Sequence, residues 1–174
     1  MILGIDIDDT ITCTTETIKK YLKKKYPEYD EYKKLPRKEY IRFLKRNMKE
    51  MRSEYKLKEG VKEAFDYFHK NDFRIIIITA RNNKYYRGSK LDTIKYLSDH
   101  GLVCDKIFFN KPKKGKTAFK EHVDLFIDDK ESVLDGVSKY EIKCLCMRDS
   151  AKYPSFHNWY EIIEYIKKEG KHGR

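Results

Sequence analysis

Three aspartates stand within four residues at the end of an apolar run: Met1-Ile2-Leu3-Gly4-Ile5 leads into Asp6-Ile7-Asp8-Asp9-Thr10. Like charges this close repel, and burial adds to the cost. A hard divalent cation with oxygen ligands is the natural partner for such a cluster. A second apolar run, Val123-Asp124-Leu125-Phe126-Ile127, ends in Asp128-Asp129. Whatever this chain folds into has to accommodate both clusters. Two apolar strands ending in paired carboxylates predict one metal site built from two distant segments.

Short apolar runs rich in Ile and Phe predict strands at residues 2–7, 73–78, 106–109, 124–127 and 142–146. Their continuous apolar character suits strands buried on both faces, as in a parallel sheet. Helical periodicity separates them. Val61, Ala64, Phe65 and Phe68 follow i, i+3, i+4, i+7; Leu91, Ile94 and Leu97 share a face that ends at His100-Gly101; Trp159, Ile162, Ile163 and Ile166 form a last amphipathic helix stopping near Gly170. Strands alternating with helices predict an α/β, Rossmann-like, doubly wound parallel sheet. Residues 11–59 break the rhythm. They predict two helices, one on Ile18, Tyr21, Leu22 and Tyr26 before Pro27, one on Ile41, Leu44, Met48 and Met51 after Pro36. The division expected is a core of residues 1–12 and 60–174 and a small helical insertion at 13–59, launched from the strand edge where ligands bind.

Size allows one sizeable core with one insertion in 174 residues. No run approaches a membrane span, and the apolar start is too short and lacks the basic leader of a secretory signal. The net charge of +11, from 39 Lys+Arg against 28 Asp+Glu, attracts anions: phosphorylated metabolites, nucleotides or nucleic acid. The four cysteines, Cys13, Cys104, Cys144 and Cys146, lack metal-knuckle spacing and are read as reduced thiols of a cytoplasmic protein.

Four pieces follow in order, each after its own strand: Asp6-x-Asp8-Asp9-Thr10, then Thr79-Ala80-Arg81, then a lysine of the basic loop at 110–116, then Asp128-Asp129. This order resembles the haloacid dehalogenase superfamily of phosphohydrolases, and within it the small bacterial relatives of 5′(3′)-deoxyribonucleotidases. Residues 127–130 and the ending that starts at Trp159 contribute to the closer likeness. A receiver domain also sets acids, a Thr and a Lys at strand ends, but its acidic pair comes early and its Thr and Lys late, whereas here the second acidic pair comes last. The resemblance implies a Mg²⁺-dependent phosphomonoester hydrolase acting through an aspartyl-phosphate, with a helical cap.

The chemistry of the pieces agrees. Phosphate monoesters hydrolyse extremely slowly unaided, and a carboxylate nucleophile divides the reaction into two easier steps. Asp6 is the expected nucleophile. Asp8 can project to the same side of the backbone, serve as acid and base, and turn its main-chain carbonyl to the metal. The expected Mg²⁺ ligands are Asp6, the Asp8 carbonyl and one acid of the Asp128-Asp129 pair; the resemblance implies Asp129 as the direct ligand, with Asp128 orienting a lysine or sitting behind the ligands. Thr79 offers a hydroxyl and a strand-end N–H to the phosphoryl group. Thr10, Ala80 and Arg81 complete the substrate contacts, although Arg81 also suits ordering the loop by ion pairing. A lysine supplies positive charge. The family places it at Lys116, while Lys111, Lys113 and Lys114 stay open. Asp9 stands where many relatives have Gly, which Asp tolerates better than most residues. Tyrosines interleaved with lysines (Tyr21, Tyr26, Tyr29, Tyr32, Tyr40 and Tyr55) either stack on a base or cover the insertion's small core. The expected substrate is a small phosphorylated molecule, a nucleotide first. A nucleic-acid end or a non-catalytic phosphate-binding module are the alternatives.

Overall fold

In the computed structural model, residues 1–28 and 35–172 are described, the side chains of 170–172 excepted. Tyr29 and Tyr32 lie outside them. Five strands, β1 (Ile2–Ile5), β2 (Arg74–Ile78), β3 (Lys106–Phe108), β4 (Leu125–Asp128) and β5 (Lys143–Cys146), form one parallel sheet in the order β3-β2-β1-β4-β5. Seven helices accompany them among the described residues: α1 (Thr14–Lys25), α2 (Arg37–Ser53), α3 (Val61–Lys70), α4 (Ser89–Asp99), α5 (Gly115–Lys120), α6 (Glu131–Ser138) and α7 (Trp159–His172).

Strand side chains alternate between faces, and here both faces are covered. Leu3, Ile5, Ile75, Ile77, Leu125 and Ile127 pack with α3 and α7. Ile76, Ile78, Phe126, Cys144 and Cys146 pack with Ala118 of α5 and Leu134 and Val137 of α6. This two-sided burial explains the uninterrupted apolar runs. The order places β1 between β2 and β4, so the carboxyl ends of three strands meet where the strand order reverses, the usual ligand edge.

Two sequence expectations change. Only Leu97 of the Leu91/Ile94/Leu97 face is buried; Leu91 and Ile94 are exposed, at 74% and 46%. The inner face of α4 is Ser89, Thr93 and Leu97, spaced i, i+4, i+8, because it meets two buried arginines rather than an apolar sheet. The last helix runs past Gly170 to His172.

The helices α1 and α2 carry their own apolar cluster, of Leu22, Leu35, Phe43, Leu44, Met48, Met51 and Tyr55. The chain leaves the core and returns to it on adjacent paths: Cys13 N–H donates to Lys56 O at 2.8 Å and Lys58 N–H to Ile11 O at 2.8 Å. The acidic loop is tied to α7 by the Trp159 indole, whose N–H donates to Thr10 O at 2.9 Å.

Gly115 lets α5 approach α6. A Cβ there would lie 2.3 Å from Gly136 O and 2.7 Å from the Tyr140 ring. Gly115→Ala is therefore expected to cost about 1–3 kcal/mol through overpacking. Gly136→Ala, where a Cβ meets nothing within 4 Å, should be neutral or stabilise by up to about 1 kcal/mol as a helical Gly→Ala change. Urea midpoints of the two variants check this, and equal midpoints would contradict the close contact.

Candidate active site

The centre is a knot of buried charge. Asp6 follows β1, Asp128 ends β4 and Asp129 follows it; one carboxylate oxygen from each lies within 4.8 Å of the others. The three are nearly or fully buried, at 5%, 0% and 3% exposure. Lys114, the residue preceding α5, is also buried; its ammonium sits 2.6 Å from Asp6 Oδ1 and 2.6 Å from Asp128 Oδ2. Lys114 therefore answers two of the three carboxylates, Asp6 and Asp128, and does not touch Asp129. Arg148 and Lys130 reach Asp129 only at 3.8 and 4.0 Å.

The protonation equilibria follow. Burial raises the Asp6 carboxyl to about 6, and Asp128 and Asp8 push the same way against Lys114. Burial likewise raises Asp129 to about 6, opposed by Lys130 and reinforced by Asp6 and Asp9. Asp128 is raised by burial against its Lys114 partner. For Lys114 burial works downward, but Asp6 and Asp128 outweigh it and hold the ammonium. Asp129 Oδ1 is buried with no hydrogen-bond partner. Three converging buried carboxylates and one orphaned carboxylate oxygen fit a hard divalent cation.

Asp8 lies in different surroundings. The Arg81 guanidinium grips it, Nη2 at 2.6 Å from Oδ1 and Nε at 3.1 Å from each oxygen, and the Thr14 hydroxyl donates to Oδ1 at 2.8 Å. Burial alone would raise this carboxyl; Arg81 and Thr14 overcome it and hold the group well below the usual carboxylate range. Asp6 and Asp8, two residues apart, are thus driven in opposite directions by environment.

Asp9 has φ 59°, the left-handed conformation that its short polar side chain tolerates. Its carboxylate accepts the Thr15 N–H at 2.7 Å and the Thr15 hydroxyl, so it caps α1. Cys13, the residue before that helix, makes no side-chain cap. The negative charge at the helix start also suits its dipole.

A cavity of about 1100 Å³ opens beside this knot between α1, α2 and the strand-end loops. Asp8, Asp9 and Asp129 line it against six cations: Lys19, Lys23, Arg52, Arg81, Lys130 and Arg148. Tyr40, Tyr55 and Tyr85 supply aromatic surface.

No protein-family model and no curated relative matches the sequence. Solved structures do match the fold. A haloacid dehalogenase-like hydrolase family protein from Streptococcus pneumoniae superposes with a TM-score of 0.70 at 14% identity, covering 95% of this chain and 97% of that one. A subfamily IA hydrolase of the same superfamily from Geobacter sulfurreducens gives 0.63 at 14% identity, covering 95% of each chain. A protein assigned as a phosphoglycolate phosphatase from Haemophilus somnus gives 0.61 at 12% identity, with 95% and 97% covered. The fold is that of the haloacid dehalogenase-like hydrolases.

Within that haloacid dehalogenase fold, the structure brings Asp6, Asp8, Asp128 and Asp129 to one edge. Of the loop lysines it seats Lys114, not Lys116, against the acids. Lys116 is exposed on α5, whereas Lys114 is buried on the acids. Gly115 allows this by letting the start of α5 sink against α6. For the reaction proposed below, Lys114→Met is expected to lower turnover at least about a hundredfold, by analogy with removal of one preorganised electrostatic group. Lys116→Met should stay within about twofold, as for a surface change. Steady-state kinetics of the pair decides, and the reverse ranking would restore Lys116.

Thr79 is buried at the end of β2, but its N–H is engaged: it donates to Phe108 O at 2.9 Å, extending the β2–β3 ladder. Only its hydroxyl, which accepts the Arg81 N–H at 3.2 Å, retains bonding capacity. Thr10 is fully buried, its hydroxyl is without a partner, and it does not line the cavity. Ala80 is exposed at the cavity wall. Arg81 is buried with its ion pair to Asp8. Of the tyrosines, Tyr21 and Tyr26 pack on the α1/α2 cluster, while Tyr40 and Tyr55 both pack there and line the cavity. Arg52 went unnoticed in the sequence. The signal was present: it lies i+4 and i+8 from Met48 and Leu44, on the stripe where α2 should be apolar.

Proposed function

We propose that this protein is a Mg²⁺-dependent phosphomonoester hydrolase that works through an aspartyl-phosphate on Asp6. The observation that carries the reading is the buried cluster of Asp6, Asp128 and Asp129 with Lys114 seated on two of them. So much negative charge in one dry place calls for a cation and for an electrophile that a carboxylate can attack.

Asp6, Asp128 and Asp129 would hold the Mg²⁺, which supplies charge neutralisation for a dianionic phosphoryl group. Asp6 attacks phosphorus, the ester P–O bond breaks, and the leaving oxygen takes a proton from the Asp8 carboxyl. Asp8 then removes a proton from water. The resulting hydroxide attacks phosphorus, the Asp6–phosphorus bond breaks, and inorganic phosphate departs. Lys114 steadies Asp6 and the transferring group. In the resting arrangement Arg81 keeps Asp8 in its base form, so Asp8 has to acquire a proton and loosen from Arg81 before it can act as the acid. The helices of residues 13–59 act as a cap over the cavity. Its aromatic wall and positive field favour a nucleotide, a nucleoside monophosphate in the simplest case.

Release of 4-nitrophenol from its phosphate ester tests the chemistry: rapid with Mg²⁺, lost with chelator. A screen of nucleoside monophosphates against sugar phosphates tests the class. Ester turnover indifferent to chelation would overturn the metal-dependent reading.

A further inference from the structure

Arg52 is nine-tenths buried and makes no ion pair among the described residues. Four hydrogen bonds fall on Nη1, and all go to neutral oxygens: Ser89 O at 2.9 Å, Ser89 Oγ at 2.5 Å, and Thr93 Oγ1 and Tyr86 Oη at 3.3 Å each. Its Nε is buried and has no partner. The Tyr86 ring lies 5.2 Å from the guanidinium carbon.

Thr93 Oγ1 also accepts from Arg81 Nη1 at 3.3 Å, so two guanidinium groups flank one hydroxyl. The carboxylate near them is Asp8, and Arg81 already engages it from Nε and Nη2. A buried cation without a counter-ion is unfavourable, and a buried N–H donor without an acceptor is rare. Four contacts on one nitrogen are enough to pin α2 to α4. They do not account for a charged residue that lines the cavity with its Nε donor buried and unpaired. A carboxylate or phosphate matches a guanidinium fork; a neutral group does not.

The placement says which part of a ligand is read. Asp8 is joined to Arg52 through Arg81 and Thr93. Asp8 faces the ester's leaving oxygen in the reaction proposed above, so Arg52 stands further along the leaving group. We propose that Arg52 recognises a second anionic group, carboxylate or phosphate, on the leaving-group half of the substrate. The inference rests on the phosphomonoesterase reading for the reacting end and narrows the substrate class. A nucleotide that satisfies it carries another phosphate besides the one removed.

Binding tests it apart from turnover. Asp6→Asn protein with Mg²⁺ is titrated calorimetrically with two matched pairs: 2-phosphoglycolate against ethyl phosphate, and thymidine 3′,5′-bisphosphate against thymidine 5′-monophosphate. In at least one pair the doubly anionic member should bind about tenfold tighter or better, and the responding pair tells carboxylate from phosphate. Adding Arg52→Gln should bring that ratio within about threefold, while Arg52→Lys, which keeps charge but not the fork, should fall between. No preference in either pair, which needs no change at Arg52, overturns the inference. So does a preference that survives Arg52→Gln. Hydrolysis of the same esters by the unsubstituted protein reads the reaction separately: a clear binding ratio without hydrolysis would remove the phosphatase reading and leave the anion site.

Discussion

Asp6→Asn is expected to lower kcat on any hydrolysed phosphomonoester by at least about a thousandfold, roughly 4 kcal/mol of barrier, while leaving the protein folded. The amide matches the carboxylate in shape and keeps an oxygen for Lys114, which also retains Asp128 at 2.6 Å. It also removes one of three clustered negative charges. What it cannot do is attack phosphorus and form the acyl phosphate. Kinetics measured beside a urea melt separate lost chemistry from lost structure. Turnover within tenfold of the parent, from an equally stable variant, would remove Asp6 as nucleophile.

The second large effect is a pH-dependent response to metal. In the folded protein without metal, burial first, then neighbouring acids, place Asp6 and Asp129 at about 6, above the unfolded carboxylate value of 3.8. The folded state therefore holds these protons more tightly than the unfolded chain. Their contribution to stability is present at low pH and lost as pH rises through about 4 to 6. A divalent cation at the proposed site would bind the ionised carboxylates, so it would restore most above that window and compete with protons within it. Mg²⁺ at a hundred times its dissociation constant should add about 2.7 kcal/mol at pH 7.5, with the gain shrinking as pH falls through about 6. Thermal melts with and without Mg²⁺ from pH 5 to 8 show it. Asp129→Asn, which removes the negative charge of the carboxylate that carries the unpartnered oxygen, should flatten the response. A metal-induced shift equal at pH 5 and pH 8, or undiminished in that variant, would mean the cation binds elsewhere.

Both predictions concern residues legible from the sequence, and the reason is local. Asp6 and Asp128-Asp129 close apolar runs whose pattern suits buried strands, so their position at the sheet's carboxyl edge followed from that reading. Thr79 was legible for the same reason, though its N–H was not: whether that donor is free depends on how far β3 continues beside β2. The α4 face failed because periodicity counts apolar residues, and this helix buries Ser89 and Thr93 against arginines.

The chain alone, then, determined the parallel sheet, the two helices α1 and α2 after its first strand and the acids at the strand ends, since each arises from hydrophobic patterning within a few neighbouring residues. Tertiary structure decided which lysine reaches those acids, what holds Asp8, and where an unpaired arginine meets the cavity. Lys114 rather than Lys116 depends on a glycine packing against another helix, Arg81 meets Asp8 across 73 residues, and Arg52 meets Ser89 across 37. Long polar side chains find their partners only when the fold brings distant segments together, and no local period records that encounter.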